Sequence, residues 1–578
     1  MKTQRHLSAL ALATLCTTAH AQTQPNILFI MADDLGWADT SNTLTTMGMP
    51  SDFYETPTLD RLAAEGMAFT NAYANPSCAP TRTALLSGAY APRSTNNVYV
   101  VNPQGSDDTS LLVNAPQGTN GNNIVLPGST TTHAETLQAA GYTTANVGKF
   151  HVTSNEGRIT AAHGFTANYG GADTGQPGAY HASGGVFGDF ISDTLDPYAG
   201  DYTQDYVDHF IKPYATDLAS QSAQIDALVG TAKHVTDASV DAAIDFMGAS
   251  AGGPFFVHFS SYAVHTPIDD DQARDDLLAK YESKTPGVAD DNASYAALIE
   301  GLDQGVGRLI DYLETTADPN NPGQTLDENT LVIFYSDNGG LGSVANNGPF
   351  TGNKGSLYEG GIRVPMIAWS GNEALVDGGT VSDEVVMPID FYTTFASLGG
   401  ASLPTDQAVD GIDLSGVFAD GDVDADREAV FWHMPVNGSR GEGPMSVVRK
   451  RIGETDWKLF YHYEDQSWGL YNLDTDIDES DNLAGSELDI LEELGMELIE
   501  WLDDLDAPLA TVRAGTIELS VQGDYLAYAN GEITAYADEL VSFSAGQELP
   551  LFMAAPVPEP TSLTLFGAVG LGLLRRRR

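Results

Sequence analysis

Two short, almost wholly apolar runs, Asn26 to Met31 (NILFIM) and Leu331 to Tyr335 (LVIFY), each lead directly into ligating polar groups. The first continues as Ala32-Asp33-Asp34-Leu35-Gly36 and the second as Ser336-Asp337-Asn338-Gly339-Gly340. A strand that is apolar on both sides must be covered on both faces, which places it inside a parallel sheet layered between helices. Tyr142 to Val147 and Phe255 to Phe259 are further strands of this kind. Helical stretches alternate with them: Thr58 to Glu65, Thr132 to Ala140, Val235 to Met247 and Tyr295 to Glu314. The last carries apolar residues at 298, 302, 306, 309, 310 and 313, close to the helical period. The alternation predicts an α/β fold with a mostly parallel sheet. Ligands of such sheets collect beyond the carboxyl ends of the strands, where Asp33, Asp34, Asp337 and Asn338 fall. The Gly- and Asp-rich stretch 163–205 has little periodicity and is expected to be a long loop region beside the site.

At 578 residues the chain exceeds one ordinary domain, and 42% hydrophobic content suffices for a buried core. Past about residue 428 the pattern changes. Ala429 to Trp432 and Trp457 to Tyr463 look like antiparallel strands, Leu470-Tyr471-Asn472-Leu473 follows, and Ser486 to Leu505 reads as a helix. The organisation expected is a signal peptide over 1–21, a main α/β domain over 22–428, a smaller α+β subdomain over 429–545, a linker over 546–561 and a tail over 562–578. The signal peptide rests on Lys2 and Arg5, the apolar run Leu7 to Cys16, and Ala19-His20-Ala21 at the cleavage positions. Its removal leaves Cys78 as the one cysteine, so no intramolecular disulfide can form.

Acidic residues number 79 against 26 basic ones, for a net charge of −53. That excludes nucleic acid as a partner, because phosphate neutralisation needs clustered Lys and Arg. It suits solubility in salty water, where screening removes the self-repulsion. Where bases are this scarce, their gathering in a few short motifs calls for a reason.

Cys78 sits in Asn75-Pro76-Ser77-Cys78-Ala79-Pro80-Thr81-Arg82-Thr83-Ala84-Leu85-Leu86-Ser87-Gly88. Cys-x-Pro-[Ser/Thr]-Arg followed by x-x-Leu-Leu-x-Gly resembles the signature of the type I, formylglycine-dependent sulfatases of the alkaline phosphatase superfamily, with Thr81 where serine is commoner. Three further segments resemble that family. Gly148-Lys149-Phe150-His151 matches its Gly-Lys-Trp-His, with Phe150 for Trp. His265-Thr266-Pro267 matches its His-x-Pro. Lys354-Gly355 through Glu359-Gly360-Gly361-Ile362-Arg363-Val364-Pro365 matches its Lys-Gly…Glu-Gly-Gly-x-Arg-x-Pro.

The resemblance covers roughly residues 24 to 485. It implies an alkaline-phosphatase-like fold: a large mixed, mostly parallel sheet flanked by helices, with a four-stranded antiparallel sheet and a helix in the C-terminal subdomain. It further implies that Cys78 is oxidised to formylglycine (3-oxoalanine). One hydroxyl of the hydrated aldehyde would attack the sulfate ester, and the other would expel sulfate by re-forming the carbonyl. Three carboxylates and an amide suit a hard ion rather than zinc. By resemblance Asp33, Asp34, Asp337, Asn338 and position 78 bind one Ca²⁺, with Mg²⁺ second in preference. Arg82 and Lys149 would hold the hydrate, and Lys354 and His265 the sulfate. His265 would protonate the leaving alcohol, and His151 would take the proton that releases sulfate. The three carboxylates and a sulfate ester carry −4, while a divalent ion with Arg82, Lys149 and Lys354 carries +5. Arg363 and Glu359 read as structural, and His433 as a possible sugar contact.

Val557-Pro558-Glu559-Pro560, the apolar Leu563 to Leu574 and Arg575 to Arg578 resemble a PEP-CTERM sorting tail. It implies an exosortase-like partner, periplasmic, cell-surface or extracellular placement, and possible transient anchoring with the arginines cytoplasmic. The activity implied is hydrolysis of sulfate esters on a sulfated polysaccharide or oligosaccharide, after maturation by a formylglycine-generating enzyme. Two alternatives stand beside it: a phosphodiester or phosphonate monoester hydrolase of the same superfamily, and an inactive cell-surface homologue. The single-metal oxygen set and the Lys-x-His segment favour the sulfatase over the first, and the complete polar set over the second.

Overall fold

The structure is a computed structural model that describes residues 24–101, 110–118, 124–420, 427–438, 443–513, 516–522 and 538–548. The expected signal peptide, the tail and the linker beyond residue 548 lie outside the described residues.

Eight strands form the main sheet: β1 (Asn26–Ala32), β2 (Met67–Phe69), β4 (Thr143–Gly148), β5 (Ala167–Tyr169), β6 (Phe255–Ser260), β7 (Thr330–Ser336), β8 (Met366–Trp369) and β9 (Thr380–Ser382). Their order is β5-β4-β6-β1-β7-β8-β2-β9. The run from β5 to β7 is parallel, β8 is antiparallel to both its neighbours, and β2 pairs parallel with β9.

Every residue of β1, β6 and β7 is buried, as their apolar character on both faces requires. Along β1 the side chains alternate between two cores. Leu28, Ile30 and Ala32 face the helices Val235–Ser250 and Ala293–Thr315, whereas Ile27, Phe29 and Met31 face Cys78–Ser87, His133–Ala139 and Asp390–Leu398. Helices on either face begin at capped residues, Ala293–Thr315 after Asn292 and His133–Ala139 after Thr132. Asn292 accepts from the Tyr295 amide, and Thr132 forms a capping box with Glu135.

The register of β1 against β7 sets Ala32 beside Ser336, and the Asp337 amide donates to the Ala32 carbonyl at 3.1 Å. The two strands therefore end flush, and the acidic residues that follow them meet.

The C-terminal sheet is antiparallel in chain order, β10 (Ala429–Met434), β11 (Met445–Ile452), β12 (Thr455–His462) and β13 (Ser467–Asn472), and the helix Leu488–Asp504 packs on it. It shares one core with the first part of the chain, in which Tyr73, Ala84 and Leu357 join Trp432, Val447 and Leu459. Short pairs complete the picture: β3 (Leu112–Val113) with β14 (Thr511–Val512), and β15 (Thr516–Gln522) with β16 (Asp538–Ser544). Among the described residues no helix is long and apolar enough to cross a membrane.

Two elements depart from expectation. The stretch 163–205 is mostly irregular but contains the edge strand β5, whose three half-buried residues carry no apolar signal. β11 is a strand that the sequence reading does not single out, and it carries Arg449-Lys450-Arg451 before its last residue. These bases are each paired with acids, Arg449 with Asp456 at 3.0 Å and Lys450 with Glu497 at 3.0 Å.

Three buried histidines contribute an acid-sensitive part of the stability. Burial is the chief cause that holds His133 at about 3, His234 at about 3 and His163 at about 4. The unfolded value is about 6.5, so below it the unfolded chain binds protons that the folded chain excludes. The histidines' contribution to stability should fall as pH drops from about 6.5 towards 4, by ~1.4 kcal/mol per pH unit for each, with no slope from them above 6.5; the buried Asp39, Asp303 and Glu479, each raised to about 7 chiefly by burial, contribute the opposite slope over the same range. Urea midpoints at pH 7.5, 6 and 5 check this, with His133→Phe expected to gain stability relative to wild type as pH falls. His133 lies between Phe256 and Phe395 at 5.1 and 5.8 Å. Parallel slopes for the two proteins would refute the assignment.

Candidate active site

Cys78 is the first residue of the helix Cys78–Ser87, and Arg82 follows one turn later on the same side. The turn before Cys78 is fixed by Thr81, whose hydroxyl accepts from the Asn75 amide at 2.9 Å and donates to the Ser77 carbonyl at 3.3 Å. Threonine supplies the hydroxyl that serine would, so the variation at this position leaves the turn intact.

The helix start faces the flush ends of β1 and β7. Oxygen atoms of Asp33 and Asp337 and the Cys78 sulfur lie within 4.8 Å of one another, and Asp33, Asp34 and His265 form a second such group. All three carboxylates are buried, and each has a cation, fully buried for Asp33 and Asp337 and half-buried for Asp34. Lys149, directly after β4, places Nζ 2.9 and 2.7 Å from the two oxygens of Asp33. Arg82 donates Nε and Nη2 to Asp337 Oδ2 at 3.1 and 2.8 Å, and Nη1 to the Lys149 carbonyl at 3.1 Å and Ser260 Oγ at 2.5 Å. Lys354 Nζ donates to Asp34 Oδ2 at 2.7 Å.

The charges perturb one another. Burial pushes the Asp33 carboxyl well up, with Asp337 adding to the rise and Lys149 opposing it. Asp34 is also raised by burial, but Lys354, His265 and Lys149 outweigh that and hold it below the usual carboxylate range. The Cys78 thiol is pushed up by burial despite Lys149 and Lys354. His265 is held at about 4, by burial first and then by Lys354 and Lys149. Its Nδ1 donates to the Thr266 carbonyl at 2.8 Å, leaving Nε2 3.7 Å from Asp34 Oδ2. His151 is buried, depressed by burial and then by Lys149 and Arg82, and among the described residues its Nδ1 has no hydrogen-bond partner.

One atom is unexplained by protein contacts alone. The Asn338 amide nitrogen donates to Asp34 Oδ1 at 2.8 Å and to the Gly339 carbonyl at 2.9 Å, whereas its buried Oδ1 has no partner among the described residues. A buried acceptor without a donor, beside two carboxylates that repel each other, is a donor set suited to a hard cation.

The group opens into a cleft of 860 Å³ lined by Asp34, Cys78, His151, His265 and Lys354 together with Val100, Val101, Gln117, Ile124, Asp173, Gln176 and Phe190. Ten polar residues expected at the site thus come together: Asp33, Asp34, Cys78, Arg82, Lys149, His151, His265, Asp337, Asn338 and Lys354. His433 does not join them. It lies buried in the small sheet, its Nδ1 accepting from Ser446 at 2.6 Å and its Nε2 donating to the Pro508 carbonyl at 2.8 Å, so both nitrogens are spent on the fold. Glu359 and Arg363 pair with each other at 3.1 Å, and Glu359 also pairs with Lys458 of β12 at 2.8 Å, away from the cleft lining. Ser260, which holds Arg82, was not foreseen; a serine ending an apolar strand carries no distinguishing signal.

Comparison with known proteins gives this geometry a class. The Sulfatase family model matches residues 25–401, the model for the C-terminal region of N-sulphoglucosamine sulphohydrolase matches 350–507, and that for the PEP-CTERM protein-sorting motif matches 556–578. The chain belongs to the sulfatase family, with an alkaline-phosphatase-like fold, and is a sulfuric ester hydrolase.

Among particular proteins, it is 37% identical over 524 residues to a sulfatase of Formosa agariphila, covering 86% of this chain and 92% of that one. It is 29% identical over 478 residues to N-acetylgalactosamine-6-sulfatase of Canis lupus familiaris, covering 81% and 77%. The crystal structure of Ps i-CgsB in complex with k-i-k-neocarrahexaose is 27% identical, with a TM-score of 0.58 and coverage of 83% and 93%.

Gly175 offers a test of the site. A Cβ there would stand 2.6 Å from both Cε1 and Nε2 of His151, so Gly175→Ala must displace the imidazole. Sulfate release should drop at least about tenfold in kcat, the scale on which a misplaced proton-transfer group costs rate, with the melting temperature nearly unchanged. An unaltered kcat would mean that the position of His151 does not matter.

Proposed function

We propose that the protein removes sulfate from a sulfated carbohydrate, with formylglycine made from Cys78 as nucleophile and one Ca²⁺ beside it. The observation that carries this is the cluster around Cys78: three buried carboxylates, three cations and a buried amide oxygen with no partner among the described residues. Asp33, Asp34, Asp337 and Asn338 would hold the ion, which supplies Lewis-acid stabilisation of negative charge on a sulfate oxygen. The thiol at position 78 is raised by burial and so is a poor nucleophile as encoded. A hydrated aldehyde there supplies one hydroxyl to attack sulfur and a second whose deprotonation releases sulfate.

The chain's own groups have separable tasks. Arg82 and Lys149, each tied to a carboxylate, fix the electrostatics around position 78. Lys354 reaches the cleft and offers its ammonium to a sulfate oxygen. His265, neutral in the resting site, gains negative charge beside it when a sulfate ester binds, which raises its affinity for a proton and suits it to protonate the leaving alcohol. His151, buried beside Lys149 with a ring nitrogen that has no partner among the described residues, is suited to accept the proton from the second hydroxyl.

A carbohydrate substrate is favoured by the relatives, whose names specify N-acetylgalactosamine 6-sulfate and a bound neocarrahexaose, and by a cleft lined with both amides and apolar side chains. Maturation requires a formylglycine-generating enzyme. The PEP-CTERM match supports export, with a leader over 1–21 and an exosortase-like partner acting on 562–578.

The test is to co-express the chain with a formylglycine-generating enzyme and weigh the peptide that contains Cys78. A loss of about 18 Da, restored by hydration, is expected, together with loss of sulfate release from sulfated sugars in Cys78→Ala. A persistent thiol under a maturase that converts a control protein would rule the nucleophile out. For the metal, dialysis against EDTA should lower both activity and melting temperature, because Asp33 and Asp337 then face each other without an ion. Added Ca²⁺ should restore both, and Mg²⁺ less so. Insensitivity to EDTA, with no metal detected by elemental analysis, would remove the ion from the scheme.

A further inference from the structure

Phe190 is 41% exposed, and among the described residues it is the one strongly exposed large apolar side chain that lines the cleft. Its surroundings hold it in place. The Thr174 hydroxyl donates to the Phe190 carbonyl. The next residue, Ile191, is buried, and the Ser192 amide donates to the Gly170 carbonyl at 3.1 Å. The ring rests on Gly178, where a Cβ would stand 2.7 Å from Phe190 Cδ2 and 3.0 Å from Cγ, so only glycine leaves room for it. The same loop reaches the reacting centre, since Gly175, next to Thr174, abuts His151.

An aromatic ring held rigid yet left in water contributes little to folding, and inside a cleft it is a preformed apolar surface. Pyranose rings present a face of C–H groups that lies flat on such a surface, with hydroxyls at the rim for polar partners. Gln117, Gln176, Thr153 and Ser154 line the same cleft. The charge of the chain makes this contact matter more. At −53 the molecule offers a polyanionic sugar no long-range attraction, so affinity beyond the sulfate-binding cations has to come from short-range neutral contacts.

We propose that Phe190 is the stacking platform for a pyranose ring of the substrate and sets the affinity for carbohydrate sulfates. This rests on the carbohydrate sulfatase function proposed above. The test uses the matured full-length enzyme on sulfated galactan oligosaccharides, chondroitin sulfate oligosaccharides and para-nitrophenyl sulfate. Steady-state kinetics of wild type, Phe190→Ala and Phe190→Trp are then measured on the sugar that wild type desulfates fastest.

Phe190→Ala should raise KM about tenfold while kcat stays within about twofold, and Phe190→Trp should keep KM within about threefold of wild type, as loss and retention of one apolar stacking surface predict. An unchanged KM in Phe190→Ala overturns the proposal. So does a fall in kcat and melting temperature that Phe190→Trp does not restore, since that marks a structural role. Wild type that cleaves para-nitrophenyl sulfate but no sugar overturns the platform while leaving sulfatase chemistry standing. Wild type that cleaves nothing overturns the underlying function as well.

Discussion

Everything in this structure is arranged so that three buried carboxylates can coexist at the ends of two adjacent strands. Burying a charge costs several kcal/mol even after relaxation, and like charges side by side cost more. The fold meets that cost with a separate cation for each acid: Lys149 on Asp33, Arg82 on Asp337 and Lys354 on Asp34. The cations arrive from three unrelated places, the end of β4, the helix after Cys78 and the loop before Glu359. Closing this cluster therefore requires the whole sheet, in register, with its neighbouring segments docked. The flush ends of β1 and β7 supply the register.

The small C-terminal sheet belongs to the same scheme. Lys458 of β12 is fully buried between Glu359 and Glu479, 2.8 Å from each, and Glu359 also takes Arg363 and the Tyr73 hydroxyl. Glu359 lies five residues beyond Lys354. A buried pair of this kind is weak evidence of net stability, but breaking it leaves an uncompensated charge. Its effect is to fix where the segment 354–363 runs, and so to hold the Lys354 ammonium over the cleft. The C-terminal part of the chain thus shapes the site without placing His433 in it.

The legible parts of the sequence were those in which one physical demand dominates. Strands apolar on both faces announced the parallel core, and the acids after them announced the carboxyl-end site. Cys78, Arg82, Lys149, His151, His265 and Lys354 were found because the segments that carry them resemble sulfatase motifs. What escaped notice obeys weaker or non-local demands. β5 is three half-buried residues long. β11 carries a basic run whose partners are remote in sequence. His433 sits on a strand next to a tryptophan, and nothing local says whether its nitrogens meet a sugar or, as they do, Ser446 and the Pro508 carbonyl. Phe190 lay in a stretch without periodicity, and only the backbone of Gly178 beneath it distinguishes it from any other loop aromatic.

The charge balance links the site to the rest of the chain. Without an ion or substrate, Asp33, Asp34 and Asp337 are matched by Arg82, Lys149 and Lys354, and the two site histidines are depressed below their ordinary value. A site that is neutral by itself, inside a molecule of −53, has no surplus to attract an anion. A divalent cation held by these residues would make the site a positive centre and would give a partner to the Asn338 oxygen, which has none among the described residues. On this account the acids are not there to bind the metal alone. They set the three cations in place while keeping the cluster close to neutral, so that local attraction for sulfate would come with the ion. Discrimination among sulfate esters is then left to the uncharged walls of the cleft.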